Sequence, residues 1–272
     1  MTTPETTAIV QVTLARPVWI PEAVALLDDV ECARLTRLRR PIDRDAYLTR
    51  HALTRVVLGR LLHRDPGALR FTRDCATCAE PHGKPRLAHD DVPSFPFSIT
   101  GATWRQGAET QGLVGVAVVT SVVTDARNTP DTRPDIGLDL EFLGATTFDG
   151  FDEVALHDVE RADLDAMAPA ARPRARAIWW ARKEAVVKAL GTGLRTEPAT
   201  IATTPPAAGD VLAAADAPRL LEPHRWPPLA VVDLSSAHLT ECVVGAVCVL
   251  GVDEVRVTVA LADPARDVIS WT

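Results

Sequence analysis

Lysine is nearly missing from this chain. Of 29 basic residues among 272, only Lys84, Lys183 and Lys188 are lysine; the rest are arginine. Arginine thus serves wherever a generic surface cation will do. Lysine is a compact point charge with three donors, suited to contacts with phosphate that are not bidentate. Chance clustering of a rare residue is the plain alternative. Aromatic residues are also scarce, at 5%, so the core must come from Val, Leu and Ala. There is no basic surplus: the formal net charge is -7, which argues against a general nucleic-acid binder. No apolar run is long enough to span a bilayer, and no membrane partner is expected. Met1 to Thr7 lacks a basic-then-apolar targeting pattern, and five cysteines form no even framework. Reduced thiols in a cytoplasmic protein are therefore expected. Cys75-x-x-Cys78 could find further zinc ligands in His82 and His89, but no second CxxC follows. An ordinary loop pair is the preferred reading.

The length suits one large domain or two ordinary ones. Residues 8 to 14 alternate as a strand. Pro21 to Leu38 has helical character, with Pro21 at its opening. A second helix is expected from Asp43 or Arg44 to about His63, with Leu48, Leu53, Val56, Val57 and Leu61 on its apolar side. Its arginines, Arg44, Arg50, Arg55 and Arg60, read mostly as a solvated face. Residues 64 to 94 are turn-rich, with a short strand near Leu69 to Thr72. Phe95 to Thr100 and Leu113 to Thr124 read as strands, and Asp125 to Asp135 as the best linker. Beyond it come a strand at Ile136 to Phe142, helical residues from about Asp152 or Asp158 to Met167, and a long helix from about Ala170 to Leu190. Gly191-Thr192-Gly193 stops that helix. On it Ile178, Trp179, Ala185, Val186, Ala189 and Leu190 form one broad apolar face, within which Arg182 is a misfit. Residues 203 to 228 are a connection, and Ala230 to Leu234, Glu241 to Leu250 and Val255 to Leu261 close the chain as strands. The order implies two similar α+β subdomains, residues 1–130 and 131–272, with an active site at their interface. The second would carry the metal and catalytic residues.

The chemistry concentrates in two segments. In Gly137-Leu138-Asp139-Leu140-Glu141, period-2 geometry puts Asp139 and Glu141 on one face of a strand. In Trp180-Ala181-Arg182-Lys183-Glu184-Ala185-Val186-Val187-Lys188, Glu184 and Lys188 share a helix face at i and i+4. Each pattern alone is common on solvated surfaces. Together with Gly83-Lys84-Pro85 they suit a hard divalent cation held by carboxylate oxygens against a phosphate, and hence phosphoryl transfer.

These residues carry a family likeness. Gly137-x-Asp139-x-Glu141 followed by Trp180-x-x-Lys183-Glu184-Ala185-x-x-Lys188-Ala189-x-Gly191-x-Gly193-Leu194 resembles the signature motifs of the 4′-phosphopantetheinyl transferases. Gly83-Lys84-Pro85 with Phe97-Ser98-Ile99-Thr100 resembles two upstream motifs of the larger, Sfp-type group. The likeness spans roughly residues 35 to 195. It implies a pseudo-twofold pair of α+β subdomains in a monomer, coenzyme A as substrate, and Mg²⁺, with Mn²⁺ as the substitute. It also implies transfer of the phosphopantetheine arm to a serine of an apo carrier protein of a polyketide, nonribosomal peptide or fatty-acid synthase, releasing adenosine 3′,5′-bisphosphate. By position, Asp139, Glu141 and Glu184 would hold the metal, with Glu184 also the base. Lys188 would contact the pyrophosphate, and Lys183 falls among the cofactor-binding positions. Lys84 would line the nucleotide site, Arg44 and Arg55 would meet the 3′-phosphate, and Thr100 would lie near it. The stretch from Arg37 to Arg55 is a candidate docking patch for the carrier. One departure stands out: the family usually has a histidine where this chain has Gly101. A homologue that binds coenzyme A or a carrier without turnover is therefore the alternative, and a metal phosphohydrolase is the second rival.

Overall fold

The structure is a computed structural model. It describes residues 6–269 except 76–77, 79, 81–82, 89–94, 107–108, 125–133, 207–217, 235–236 and 238. Most of the expected linker, and both histidines considered for zinc, lie outside the described residues. The chain divides into two compact units: Met1–Gln11 with Val119–Thr258, and Val12–Val118 with Val259–Thr272. Among the described residues no helix is long and apolar enough to cross a membrane.

Strand β1 is Thr6–Ala15. The helical stretch expected from Pro21 to Leu38 is two elements: a 3-10 turn at Pro21–Leu26 and helix α1 at Asp29–Arg37. The break is a capping box. The Asp28 carboxylate accepts from the Glu31 backbone N–H at 2.9 Å, and the Glu31 side chain accepts from the Asp28 N–H at 3.0 Å. Two otherwise unpaired amides are satisfied there, so a new helix starts at Asp29. Helix α2, Pro41–Leu62, begins earlier than expected, with Pro41 in its first turn, and ends on His63 in the left-handed region at φ 51°. It is buried on two sides. Leu53, Val57 and Leu58 join Phe97, Val114, Val116 and Val118, while Leu48, Ala52 and Val56 pack with Ile20, Ala23 and Leu35.

Two short strands, β2 (Phe71–Thr72) and β3 (Arg86–Leu87), pair antiparallel. Strands β4 (Phe97–Gln106) and β5 (Glu109–Thr124) form an antiparallel ladder from Phe97 opposite Val118 to Gln106 opposite Glu109. Gly101 does not interrupt β4, since both neighbours keep their ladder partners. Later in the chain come β6 (Ile136–Phe142), α3 (Phe151–Ala155), α4 (Asp158–Ala166), α5 (Arg172–Leu190), β7 (Leu229–Asp233), β8 (Val243–Leu250), β9 (Glu254–Leu261) and α6 (Pro264–Ile269). The sheets run β4-β5-β1-β9, β2-β3 and β6-β8-β7. The architecture is mixed α and β.

Helix α5 organises its unit. Its Ala177, Ala181 and Ala185 recur every fourth residue and meet Val231, Val244, Ala246 and Cys248 of the sheet β6-β8-β7. The helix is not one-sided, as its sequence implies. Ala175 and Trp179 pack the other way, onto Phe151, Leu156 and Leu164. A helix covered on both sides loses most of its amphipathic contrast. Each fully buried aliphatic side chain on it, such as Val186, contributes about 1.5–3 kcal/mol.

Candidate active site

Gly137 sets the distance between β6 and α5. A Cβ there would lie 1.8 Å from the Ala185 carbonyl oxygen and 2.6 Å from the Ala189 nitrogen. Only glycine lets strand and helix backbones come that close. Asp139 and Glu141 share Gly137's side of the strand by alternation, so they are brought to the helix that carries Glu184 and Lys188.

The contact is direct. Lys188 Nζ lies 2.6 Å from Asp139 Oδ1 and donates to the Leu138 carbonyl at 3.1 Å. Glu141 accepts from the Phe142 backbone N–H at 2.8 Å. Burial pushes the Glu141 carboxyl up to about 7; Asp139 and Glu184 add to this, and Lys188 and the Phe142 N–H oppose it. Glu184 is also raised, first by burial and then by Asp139, with Lys188 opposing. Three carboxylates therefore act on one another around one ammonium. The local charge is in deficit, and a further cation would relieve it.

Lys188 is a partner of Asp139 in this arrangement. Among the described residues no three His, Cys, Asp or Glu side chains are gathered closely enough to hold an ion as they stand. The donor set of Asp139, Glu141 and Glu184 is all carboxylate oxygen, which fits a hard divalent cation. Their mutual repulsion fits it too.

The other sequence-derived candidates scatter. Lys183 is a correction: it does not join this cluster. It is fully buried, paired with Glu160 at 2.5 Å, and donates to the carbonyls of Ala155 at 2.7 Å and Pro198 at 3.1 Å. Consecutive helix positions point about 100° apart, so the neighbour of Glu184 faces elsewhere. Arg55 is a second correction. It is 1% exposed and bonded to Glu31 at 2.6 Å, Asp28 at 3.2 Å and the Leu69 carbonyl at 2.8 Å. Its guanidinium is used inside its own unit, not offered to a ligand. Arg182, the sequence misfit, is buried against Asp233 through two bonds of 2.8 and 2.5 Å.

Arg44 is exposed and stacks over Trp19, 4.9 Å from the ring centre. Thr100 is buried on β4, opposite Gly115. Lys84 is half-buried and follows a glycine pinned by close backbone approach. A Cβ at Gly83 would sit 2.1 Å from the Asp74 carbonyl oxygen, and its N–H donates to the Arg73 carbonyl at 2.7 Å. Arg50 belongs to the arginines of α2 that the sequence pattern reads mostly as a solvated face, and it is only part-exposed. Its guanidinium carbon lies 5.2 Å over the Tyr47 ring, and its Nη1 is 3.7 Å from where a Cβ on Gly101 would be. The missing side chain at Gly101 was the only available signal.

Comparison with known proteins bears on this site. Residues 135–232 match the profile of the 4′-phosphopantetheinyl transferase superfamily. A Synechocystis protein bearing the name "Putative 4'-phosphopantetheinyl transferase slr0495" is 35% identical over 99 residues, covering 36% of this chain and 38% of that protein. The matched segment contains β6 and α5 with Asp139, Glu141, Glu184 and Lys188. Through residues 135–232, the chain is similar to the 4′-phosphopantetheinyl transferase superfamily.

Proposed function

We propose that this protein transfers the 4′-phosphopantetheine arm of coenzyme A to a serine of an apo carrier protein, and that it does so with Mg²⁺ in the cytoplasm. The observation that carries the reading is the carboxylate-rich cluster of Asp139, Glu141 and Glu184 about Lys188, built on the segment that matches the superfamily. The proposal includes the family's pair of similar α+β subdomains, here residues 1–130 and 131–272, in a monomer. The carriers are those of polyketide, nonribosomal peptide or fatty-acid synthases.

Asp139, Glu141 and Glu184 are the residues to hold the metal, which when bound supplies charge neutralisation for the pyrophosphate. The serine oxygen attacks the phosphorus that bears the pantetheine. The bond from that phosphorus to the bridging oxygen breaks, and adenosine 3′,5′-bisphosphate leaves with the electron pair. Glu184 accepts the serine proton; burial and Asp139 raise its carboxyl, against Lys188, which makes it a better proton acceptor than an ordinary glutamate. Lys188 supports the leaving group with a charge-assisted hydrogen bond. Lys84 and Thr100 serve the nucleotide end, with Arg44. Carrier docking falls to the exposed Arg37, Arg39 and Arg40, since Arg55 is internal.

The test is incubation with coenzyme A, Mg²⁺ and several apo carrier domains, read by intact mass. A gain of one phosphopantetheine on a carrier, abolished in Glu184→Gln, supports the reading. Coenzyme A binding with no gain on any carrier favours binding without turnover. Cleavage of coenzyme A without a carrier favours the hydrolase.

A further inference from the structure

We infer that Arg50 is a phosphate-binding residue of this chain, and that it fills the place left by the absent side chain of Gly101. Its ligand is a phosphomonoester on the nucleotide part of coenzyme A. The inference rests on the coenzyme A reading above.

Arg50 differs from the arginines around it. Arg55 and Arg73 both bond to Asp28 and Glu31. Arg50 has no carboxylate partner among the described residues. Its Nε is buried without a hydrogen-bond partner, while the residue as a whole stays part-exposed. The guanidinium carbon lies over the ring of Tyr47, itself buried, in a cation–π contact. The neighbouring charge with the same sign is Arg34, on α1, which is exposed. Burial and Arg34 both disfavour the charged guanidinium, and Tyr47 is the group that favours it.

A guanidinium whose Nε is withdrawn from water without a partner is a standing cost to the fold. A structure that merely needed a packing residue beside Tyr47 could have used an apolar one. The arrangement makes sense if the counter-ion arrives with a ligand. A planar guanidinium presents two parallel N–H groups, the geometry that grips phosphate oxygens. Gly101 provides the room. A side chain there would come 3.1 Å from Val114 Cγ1 and 3.7 Å from Arg50 Nη1, so a large residue at 101 and the guanidinium compete for one space.

The experiment is calorimetric titration of coenzyme A and dephospho-coenzyme A, which lacks the 3′-phosphate, into the Mg²⁺-loaded protein at fixed salt. The wild-type protein is expected to prefer coenzyme A by about tenfold or more, the scale of a hydrogen bond to a charged group. Arg50→Gln should bring the ratio to about one while dephospho-coenzyme A binds as before. Arg50→Lys, which keeps the charge but not the fork, should give an intermediate ratio, and it serves as the readout if Arg50→Gln does not fold. An unchanged ratio in the variants, or equal binding of both nucleotides to the wild type, overturns the role of Arg50 and leaves the transferase reading standing. Failure of the wild type to bind either nucleotide overturns both.

Discussion

Two clusters of acid and base in this molecule are made of similar parts and behave in opposite ways. In the unit of residues 12–118, Asp28 and Glu31 meet Arg55, Arg73 and His51. Glu31 is bonded to Arg55 and Arg73 at 2.6 Å each and to His51 Nδ1 at 2.9 Å. Its carboxyl is held well below the usual range: His51 and Arg55 outweigh the burial that would raise it. In the unit of residues 119–258, Asp139, Glu141 and Glu184 share Lys188, and both glutamates are pushed up. Burial acts the same way in both places. The difference is the count of cations. A cluster in charge balance is closed and stabilises the fold; a cluster with surplus carboxylate is strained by repulsion, as the proposed metal site requires.

The largest way to break the comparison is chemical. Asp139→Asn or Glu184→Gln should lower phosphopantetheine transfer by about 100-fold or more, the scale of a lost general base or of lost electrostatic stabilisation. Glu184→Gln should leave the melting temperature unchanged or raise it, because it removes repulsion. Initial rates and thermal melts on the same preparations decide it.

The converse change is expected to act on stability. Glu31→Gln leaves Arg55 and Arg73 with Asp28 as their one shared carboxylate and should cost about 3 kcal/mol in urea denaturation. Glu141→Gln should cost nothing above pH 7. If both variants lose equally, the distinction between the clusters fails.

The two clusters should also respond to pH with opposite signs. For Glu141 the folded carboxyl, at about 7, lies above its ordinary 4.5. The folded state binds more protons in that window, so metal-free protein should lose stability as pH rises from about 4.5 to about 7. Mg²⁺ or Glu141→Gln should flatten that limb. His51 is lowered from 6.5 to about 4, chiefly by burial. There the unfolded state binds more protons, so stability should fall as pH drops from about 6.5 to about 4, and Glu31 adds to the loss below its ordinary range. His51→Gln should flatten the acid limb alone. Melting temperature against pH, with and without chelator, separates the two.

The smallest effect is expected outside both clusters. Arg225 and Glu222 pair at 2.7 Å with both side chains exposed. Arg225→Ala should leave the urea midpoint within measurement error, since solvent screens such a pair. A larger loss would show that exposed pairs here carry weight that the comparison denies them.

How far the sequence reached depends on the residue. That Asp139 and Glu141 share a strand face, and Glu184 and Lys188 a helix face, was legible because strand and helix periodicities are local. The stop of α5 at Gly191, in the left-handed region at φ 67°, was legible for the same reason. The start of α1 was readable too, in Asp28-x-x-Glu31, but an apolar run across it masked the cap. Arg55 and Lys183 were not legible. Their counter-ions lie far along the chain, Lys183 and Glu160 being on different helices. Nothing local distinguishes an arginine aimed at a ligand from one aimed at a buried glutamate.

The sequence by itself determined which groups could do chemistry, because residue type and short-range spacing fix which side chains share a face. Only the tertiary structure decided which of them are spent. Gly137 brings two carboxylates against Lys188, Glu160 takes Lys183 out of reach, and Arg50 is left beside Gly101 with no carboxylate partner among the described residues. Each outcome depends on which segments meet, and a charge buried in a fold takes its properties from the groups packed against it.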